Sequence, residues 1–385
     1  MTSNGDLKIG LLFSQSGSTC LTEQSQLRGA MQAIDEINQA GGVDGRILAP
    51  LHYDPLSDAG LFRQFAERLF AQDRVNVVFG GYTSSSRKAI LPVVEKHNRV
   101  LFYPQLYEGF EFSENIIYGG ASPNQNGVQL AEFMTQTYGA RVYMVGSRYI
   151  YPYECNRNMQ ELILQSPNGA VVGEKYVDLS ATREEFDPII EEIRRKQPDF
   201  IFSTVIGASC PFLYQAYLRA GLDPTRMPIA SLNTSECEIA LMGPEAACGH
   251  ITSAPYFQTV ETAENAAALQ SFRRLYGTQI STDMNWEAAY YQVHMFAAAL
   301  EKAGSDEFDR LMPQLQGLEF DAPQGRVRID SRNQHTAVNP RIGRVDAQGG
   351  FEILRQSRHM VPPDPYMADQ QTGDWITKLS TTSES

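Results

Sequence analysis

Short apolar runs and helix-patterned stretches alternate along this chain at intervals of about 30 residues, the length of a strand–helix unit. Strands are expected at residues 8–13, 47–53, 75–79 and 100–103, with helices at 22–40, 58–71 and 84–96, the last interrupted by Pro92. The series then starts again. Helices are expected at 126–138, 152–164, 184–195 and 211–219, and strands at 142–145, 171–176, 200–204 and 228–230. Repeated units of this kind favour a parallel sheet with helices on both faces. Roughly 240 residues of them exceed one ordinary sheet, so two similar lobes are expected. The Gly119-Gly120-Ala121-Ser122-Pro123-Asn124 stretch has the composition of a hinge between them. The last third differs: long helices at 263–276 and 286–302 precede a strand-rich end with a hairpin turn at 346–350. The expected division is residues 1–121 plus about 255–330 in one lobe and 122–254 plus about 331–385 in the other.

One junction in this series carries chemistry. Val75-Asn76-Val77-Val78-Phe79 runs into Gly80-Gly81-Tyr82-Thr83-Ser84-Ser85-Ser86-Arg87-Lys88. This reads as strand, tight turn and helix start, with Ser84 or Ser85 as the cap. A helix start offers unpaired N–H donors and the positive end of a dipole. Tyr82, Tyr103 and Tyr149 each directly follow a predicted strand, where open α/β sheets hold ligands. Tyrosine and serine hydroxyls both donate and accept, which suits a small amide with a carbonyl at one end and an NH₂ at the other. A carboxylate ligand would also want a cation, and Arg87, Lys88 and Arg148 are near enough in sequence to supply one.

Composition narrows the function classes. The chain has 385 residues and a formal charge of −13, from 32 basic and 45 acidic residues. That balance argues against direct nucleic-acid binding and leaves room for a basic protein partner. No apolar stretch approaches the roughly 20 residues of a membrane span. The sequence enters its first strand without a basic-then-apolar leader, which reads as cytoplasmic, with a periplasmic location as the alternative if a leader precedes it. Cys20, Cys155, Cys210, Cys237 and Cys248 contain no C-x-x-C pair and read as free thiols. G-x-S-x-G, H-E-x-x-H, P-loop and G-x-G-x-x-G motifs are absent, and the six histidines do not cluster. The expectation is a protein that is not an enzyme, with no cofactor and no metal.

Ala33-Ile34-Asp35-Glu36-Ile37-Asn38-Gln39-Ala40-Gly41-Gly42-Val43-Asp44-Gly45-Arg46 resembles the signature of the periplasmic-type amino-acid and amide binding proteins. Phe102-Tyr103-Pro104, Tyr107-Glu108-Gly109-Phe110-Glu111, Ser122-Pro123-Asn124-Gln125-Asn126, Tyr149-Ile150-Tyr151-Pro152, Asp321-Ala322-Pro323-Gln324-Gly325 and the tail Pro363-Asp364-Pro365-Tyr366 resemble its short-chain amide and urea branch, in particular the amide sensors of bacterial amidase operons. The resemblance implies the type I fold, two Rossmann-like lobes with parallel sheets around a ligand cleft. It implies a small amide or urea-like ligand held by Tyr82, Ser84, Ser85, Tyr103, Gln105, Tyr149 and Tyr151, with Thr204, Val205, Asn233 and Thr234 closing the opposite wall. It also implies a cytoplasmic regulator that captures an RNA-binding antitermination protein and releases it when amide binds, with a possible homo-oligomer; the alternative is the solute-binding component of a urea or amide ABC transporter. The chain departs from the amide sensors after Tyr103-Pro104, where Gln105-Leu106 stands in place of Thr-Pro. Gln105 adds two donors and an acceptor, which makes urea or a larger amide plausible.

Structural roles compete for several of these residues. The serine run can be only a helix cap, and Asn233 can cap the helix leading to Leu241. Arg87 and Lys88 can be solvated or paired with acidic neighbours. Tyr107 to Glu111 reads better as a turn than as a ligand contact, and Trp286 to Tyr291 as packing.

Overall fold

The computed structural model describes residues 5–368. The described residues divide into two compact units: one is built from residues 5–106, Phe110–Gly120 and Glu261–Val338, the other from Tyr107–Gly109, Ala121–Val260 and residues 339–368.

The first unit opens with β1 (Leu7–Leu12), β2 (Leu48–Tyr53), β3 (Val77–Gly80), β4 (Val100–Tyr103) and β5 (Ile116–Tyr118). These form an all-parallel sheet in the order β2-β1-β3-β4-β5. All four residues of β3 and of β4 are buried, as strands covered on both faces must be. The helices α1 (Cys20–Gln39), α2 (Ala59–Ala71) and α3 (Ser84–His97) supply the crossovers. Asp58 caps α2 through a bond from the Leu61 amide. Helix α3 runs unbroken through Pro92, contrary to the sequence expectation. Pro92 and Lys88 both lie on the exposed face, where water can reach the Lys88 carbonyl that proline leaves without a helical donor.

The second unit repeats the plan. It comprises α4 (Pro123–Thr137), β6 (Arg141–Ser147), α5 (Ile150–Leu164), β7 (Ala170–Val177), α6 (Asp187–Lys196), β8 (Phe200–Thr204), α7 (Cys210–Arg219), β9 (Ile229–Ser231), α8 (Glu236–Met242), α9 (Pro244–Ala247) and β10 (Ile251–Ala254). Helix α4 starts three residues before its expected position, because Ser122 and Gln125 form a capping box ahead of a proline in the first turn. The parallel strands run β10-β9-β8-β6-β7. Counted within the unit this is 2-1-3-4-5, the same order as in the first.

The chain then returns to the first unit with α10 (Ala263–Tyr276), α11 (Met284–Ala303), α12 (Phe308–Leu315) and the antiparallel strands β11 (Glu319–Ala322), β12 (Gly325–Ile329) and β13 (Thr336–Ala337). Pairing of β13 with β12 keeps residues through Val338 in this unit, eight beyond the expected boundary near 330. Helix α11 packs along α1. A Cβ on Gly29 would lie 2.1 Å from the Trp286 carbonyl oxygen, so the two backbones meet there without a side chain between them. The Trp286 ring is fully buried, and its N–H donates to Gln32 Oε1 at 3.0 Å. Finally β14 (Arg341–Val345) and β15 (Phe351–Gln356), joined by the expected turn at 346–350, add antiparallel to β10 in the second unit.

Candidate ligand site

Strand order locates the sites. In a sheet of order 2-1-3-4-5 the crevice opens where the chain reverses direction between strands 1 and 3. These are the carboxyl ends of β1 and β3 in the first unit and of β6 and β8 in the second.

At the end of β3 the backbone turns through Gly80 (φ +149) and Gly81 (φ +84). A Cβ on Gly80 would lie 2.1 Å from the Leu12 carbonyl oxygen. Thr83, not Ser84 or Ser85, caps α3: its hydroxyl accepts from the Ser86 amide at 3.1 Å, and Ser86 Oγ donates to the Thr83 carbonyl at 2.7 Å. Threonine has the extended backbone that a cap needs. Ser84 is therefore the first helical residue and is buried, whereas Ser85 is exposed. Tyr103 closes β4 and is fully buried; its hydroxyl donates to the Tyr82 carbonyl at 2.6 Å. Tyr103 thereby fixes the peptide that presents Tyr82. Replacing Tyr103 with Phe keeps the ring and removes that hydrogen bond. Ligand affinity is expected to fall by about 1–3 kcal/mol with the fold retained, as read by calorimetric titration beside circular dichroism.

The cations are committed. Arg87 is fully buried, with its guanidinium carbon 4.9 Å from the centre of the Tyr103 ring. Its Nε donates to Glu111 Oε1 at 2.6 Å, and Lys88 Nζ to Glu111 Oε2 at 2.8 Å. The Tyr118 hydroxyl adds a bond to Oε1 at 3.2 Å. Burial pushes the Glu111 carboxyl upward, but the Arg87 and Lys88 charges and hydrogen bonds outweigh it and hold the group below its ordinary value. Of the two structural roles open to these cations, pairing prevails. Glu111 thus belongs to an ion cluster, not simply to a turn. Arg148 is paired as well, with Asp178 at 2.9 Å on the surface.

Gln105 is buried, and its Oε1 accepts from Gln26 Nε2 at 3.0 Å; the same amide of Gln26 also donates to the Pro104 carbonyl at 3.0 Å. A Cβ on Gly120 would strike the Gln105–Leu106 peptide at 2.0 Å, so the turn carrying Gln105 is tightly seated.

Sequence reasoning missed the loop after β1. Glu23 of α1 is fully buried; it accepts from the Ser14 amide (2.6 Å) and from the Thr19 hydroxyl (2.6 Å). Ser14 Oγ in turn accepts from the Ser57 amide at 2.9 Å, tying this loop to the one after β2. Burial raises the Glu23 carboxyl to about 7 against the hydrogen bonds that oppose it. The signal was present: Ser14-Gln15-Ser16-Gly17-Ser18-Thr19 is a hydroxyl-rich turn directly after a strand.

In the second unit Tyr149 occupies the N-cap position of α5 and Tyr151 its first turn, with ring centres 6.2 Å apart. Tyr151 is buried and Tyr149 half-buried. The remaining predicted residues sit inside a hydrogen-bonded network. The Thr204 hydroxyl donates to Asn156 Oδ1 at 3.0 Å, and Asn233 Nδ2 to the Val205 carbonyl at 3.0 Å. Thr234 Oγ1 lies 2.9 Å from the Tyr214 hydroxyl and 3.0 Å from Ser231 Oγ. Ser235 and Glu238 form the capping box of α8, so Asn233 does not cap that helix.

All five cysteines are thiols, not disulfides. Among the described residues no helix is long and apolar enough to cross a membrane. Two surface grooves of about 610 and 620 Å³ lie away from the carboxyl ends of the strands: one against Gly139, Arg141 and Asp199 at the amino ends of β6 and β8, the other between α2 and α3.

Comparison with known proteins agrees with this architecture. The chain is similar to the solute-binding protein of an ABC transporter from Rhodopseudomonas palustris HaA2 in complex with p-hydroxybenzoic acid, with a TM-score of 0.85 and 20% identity over 95% of this chain and 100% of that one. The branched-chain amino acid transporter substrate-binding protein LivJ of Streptococcus pneumoniae, in complex with isoleucine, matches with a TM-score of 0.80 and 19% identity over 93% and 100%. The leucine-, isoleucine-, valine-, threonine- and alanine-binding protein of Pseudomonas aeruginosa is 22% identical over 85% of this chain and 86% of its own length. A match to limonene hydroxylase of Geobacillus stearothermophilus, 27% identical, covers 33% of this chain and spans only 23% of that protein. The periplasmic binding protein domain matches residues 7–372. With two units of one strand order and a family match along nearly its whole length, the chain belongs to the periplasmic binding protein domain family and has the type I α/β fold.

Proposed function

We propose that the protein is a non-catalytic receptor for a small uncharged solute of the amide or urea class, serving as the solute-binding component of an ABC importer. One observation carries the ligand class: each cation that the sequence offers to a carboxylate is already paired, Arg87 and Lys88 with Glu111 and Arg148 with Asp178. The solved neighbours named above carry carboxylate ligands. Here the strand-end wall of the first unit consists of Tyr82, Ser84 and the turn held by Tyr103, whose groups suit a carbonyl and an NH₂. Tyr149 and Tyr151, which follow the first strand of the second unit, are proposed as ligand contacts on that unit. Thr204, Asn233 and Thr234 are reassigned to support, because their side chains bond to Asn156, to the Val205 carbonyl and to Ser231 at the β8 and β9 ends. The importer role, with a periplasmic location, draws on the neighbours, which are transport components by name.

A second reading keeps the amide-sensor role, with an RNA-binding regulator as partner and a cytoplasmic location. It is favoured by the Tyr107-Glu108-Gly109-Phe110-Glu111 and Tyr149-Ile150-Tyr151-Pro152 motifs. Affinity capture with and without ligand separates the two: permease subunits support the importer, and a regulator released by amide supports the sensor.

A thermal-shift screen of acetamide, propionamide, urea, 4-hydroxybenzoate, leucine and isoleucine tests the ligand class, because a ligand bound only by the native state raises the melting point. Stabilisation by an uncharged amide or urea is expected; stabilisation by the carboxylates alone rejects the proposal. Gln105 tunes the choice within the class. Gln105→Thr removes its bond from Gln26 and should shift the ranking of acetamide, urea and longer amides. An unchanged ranking would place Gln105 outside ligand selection.

A further inference from the structure

We infer that Glu111 is a specificity-determining residue: its carboxylate cancels the field of the buried Arg87 guanidinium behind the Tyr82–Tyr103 wall and thereby sets the preference for an uncharged ligand over a carboxylate. This deepens the functional reading above and rests on it for the ligand class.

The geometry separates this role from simple packing. The guanidinium is fully buried, so bulk water does little to screen its charge. It sits against the face of Tyr103, the residue whose hydroxyl positions the Tyr82 carbonyl. Glu111, 8% exposed, meets Arg87 at two points, Nε to Oε1 at 2.6 Å and Nη2 to Oε2 at 3.4 Å. Lys88 reaches the same carboxylate, but its side chain is 42% exposed, so water screens its surplus charge. The aromatic layer around the pair is neutral: Tyr118 donates to Glu111, and His335 stacks on Tyr118 at 4.1 Å, kept uncharged because burial lowers its pKa to about 4. Ionised Glu111 therefore sets one negative charge against the buried guanidinium next to the site.

Removing that one negative charge makes the back of the wall more positive by one unit. At a separation on the order of 10 Å and an effective dielectric near 20, the uncancelled charge favours a carboxylate over its isosteric amide by about tenfold. A purely structural loosening would weaken both members of such a pair alike.

The test is calorimetric titration with isosteric pairs: acetamide and acetate, leucinamide and leucine, 4-hydroxybenzamide and 4-hydroxybenzoate. Three proteins are compared: the native chain, Glu111→Gln, and the double variant Arg87→Gln/Glu111→Gln. For whichever pair the native protein binds, Glu111→Gln is expected to move the amide-to-carboxylate affinity ratio about tenfold toward the carboxylate, and the double variant to return it to the native ratio. Glu111→Asp, which retains the charge, is expected to keep the native ratio even if both affinities fall. If Glu111→Gln does not fold, the Glu111→Asp and double variants still decide: a native ratio in both is expected, and a shifted ratio in either overturns the inference. Equal loss for both ligands in Glu111→Gln also overturns it. A native protein that prefers the carboxylate, combined with the expected ratio shift, rejects the amide reading while sustaining the role of Glu111. No binding of any pair by any of the proteins rejects both.

Discussion

Gly80→Ala is expected to destabilise the first unit by about 3–5 kcal/mol and to abolish ligand binding. Gly80 holds φ at +149, and a Cβ there would stand 2.1 Å from the Leu12 carbonyl oxygen, its pairing partner across β1 and β3. Two costs add: backbone strain of about 1–3 kcal/mol and overpacking of similar size. Relief requires β1 and β3 to part at their carboxyl ends, which displaces the Gly81–Thr83 turn and the loop beginning at Ser14 together. Gly127→Ala is the control. Gly127 lies within α4 with no atom near the position of its missing Cβ, so alanine there should stabilise by roughly 0.5–1 kcal/mol. Denaturant unfolding of both variants reads the contrast. A Gly80→Ala protein of native stability would mean that the turn has room the structure denies it.

Glu23→Gln is expected to stabilise the protein at pH 8 by up to about 3 kcal/mol and to change little at pH 4.5. The native carboxyl titrates near 7, raised from 4.5. Between those values the native state holds a proton that the unfolded state has released. Stability is therefore fully present below about 4.5 and is lost as pH rises through 7. The groups facing Glu23 are Ser14, Thr19 and, at longer range, Asp54, whose negative charge adds to the upward shift. Glutamine removes the ionisation, its carbonyl accepting from the Ser14 amide and its NH₂ donating to the Thr19 hydroxyl, which still donates to Ser57 Oγ. Denaturant midpoints for native and variant protein at pH 4.5 and pH 8 give the answer. A difference independent of pH would show that the carboxyl is solvated in the native state.

The strand–helix rhythm was legible because parallel strands buried on both faces are continuous apolar runs, and β4 and α10 have their expected bounds. Errors fell at helix starts. Thr83 outcompetes Ser84, and α5 begins at Ile150, two residues before Pro152, because caps depend on backbone angles that composition does not fix. The junction after β3 was readable from its glycines and hydroxyls. The clustering of Arg87, Glu111, Tyr118 and His335 was not, since it joins α3, the loop before β5 and the segment before β13 across 248 positions of sequence, from Arg87 to His335. The Glu23 floor was missed for a different reason: one carboxylate in a helix with a polar face looks solvated until the loop folds over it. Thr204, Asn233 and Thr234 illustrate the converse. Hydroxyls and amides at strand ends look like ligand contacts in sequence, and each of these side chains also bonds inside the unit.

The central claim is that this receptor selects an uncharged amide or urea-like solute and returns it unchanged. Calorimetric titration of the native protein with acetamide against acetate, followed by chromatography of the recovered ligand, addresses it most directly. Saturable binding of acetamide with at least tenfold discrimination against acetate, and no acetate or ammonia released, is the predicted result. Preference for acetate, or hydrolysis of the amide, would contradict the account.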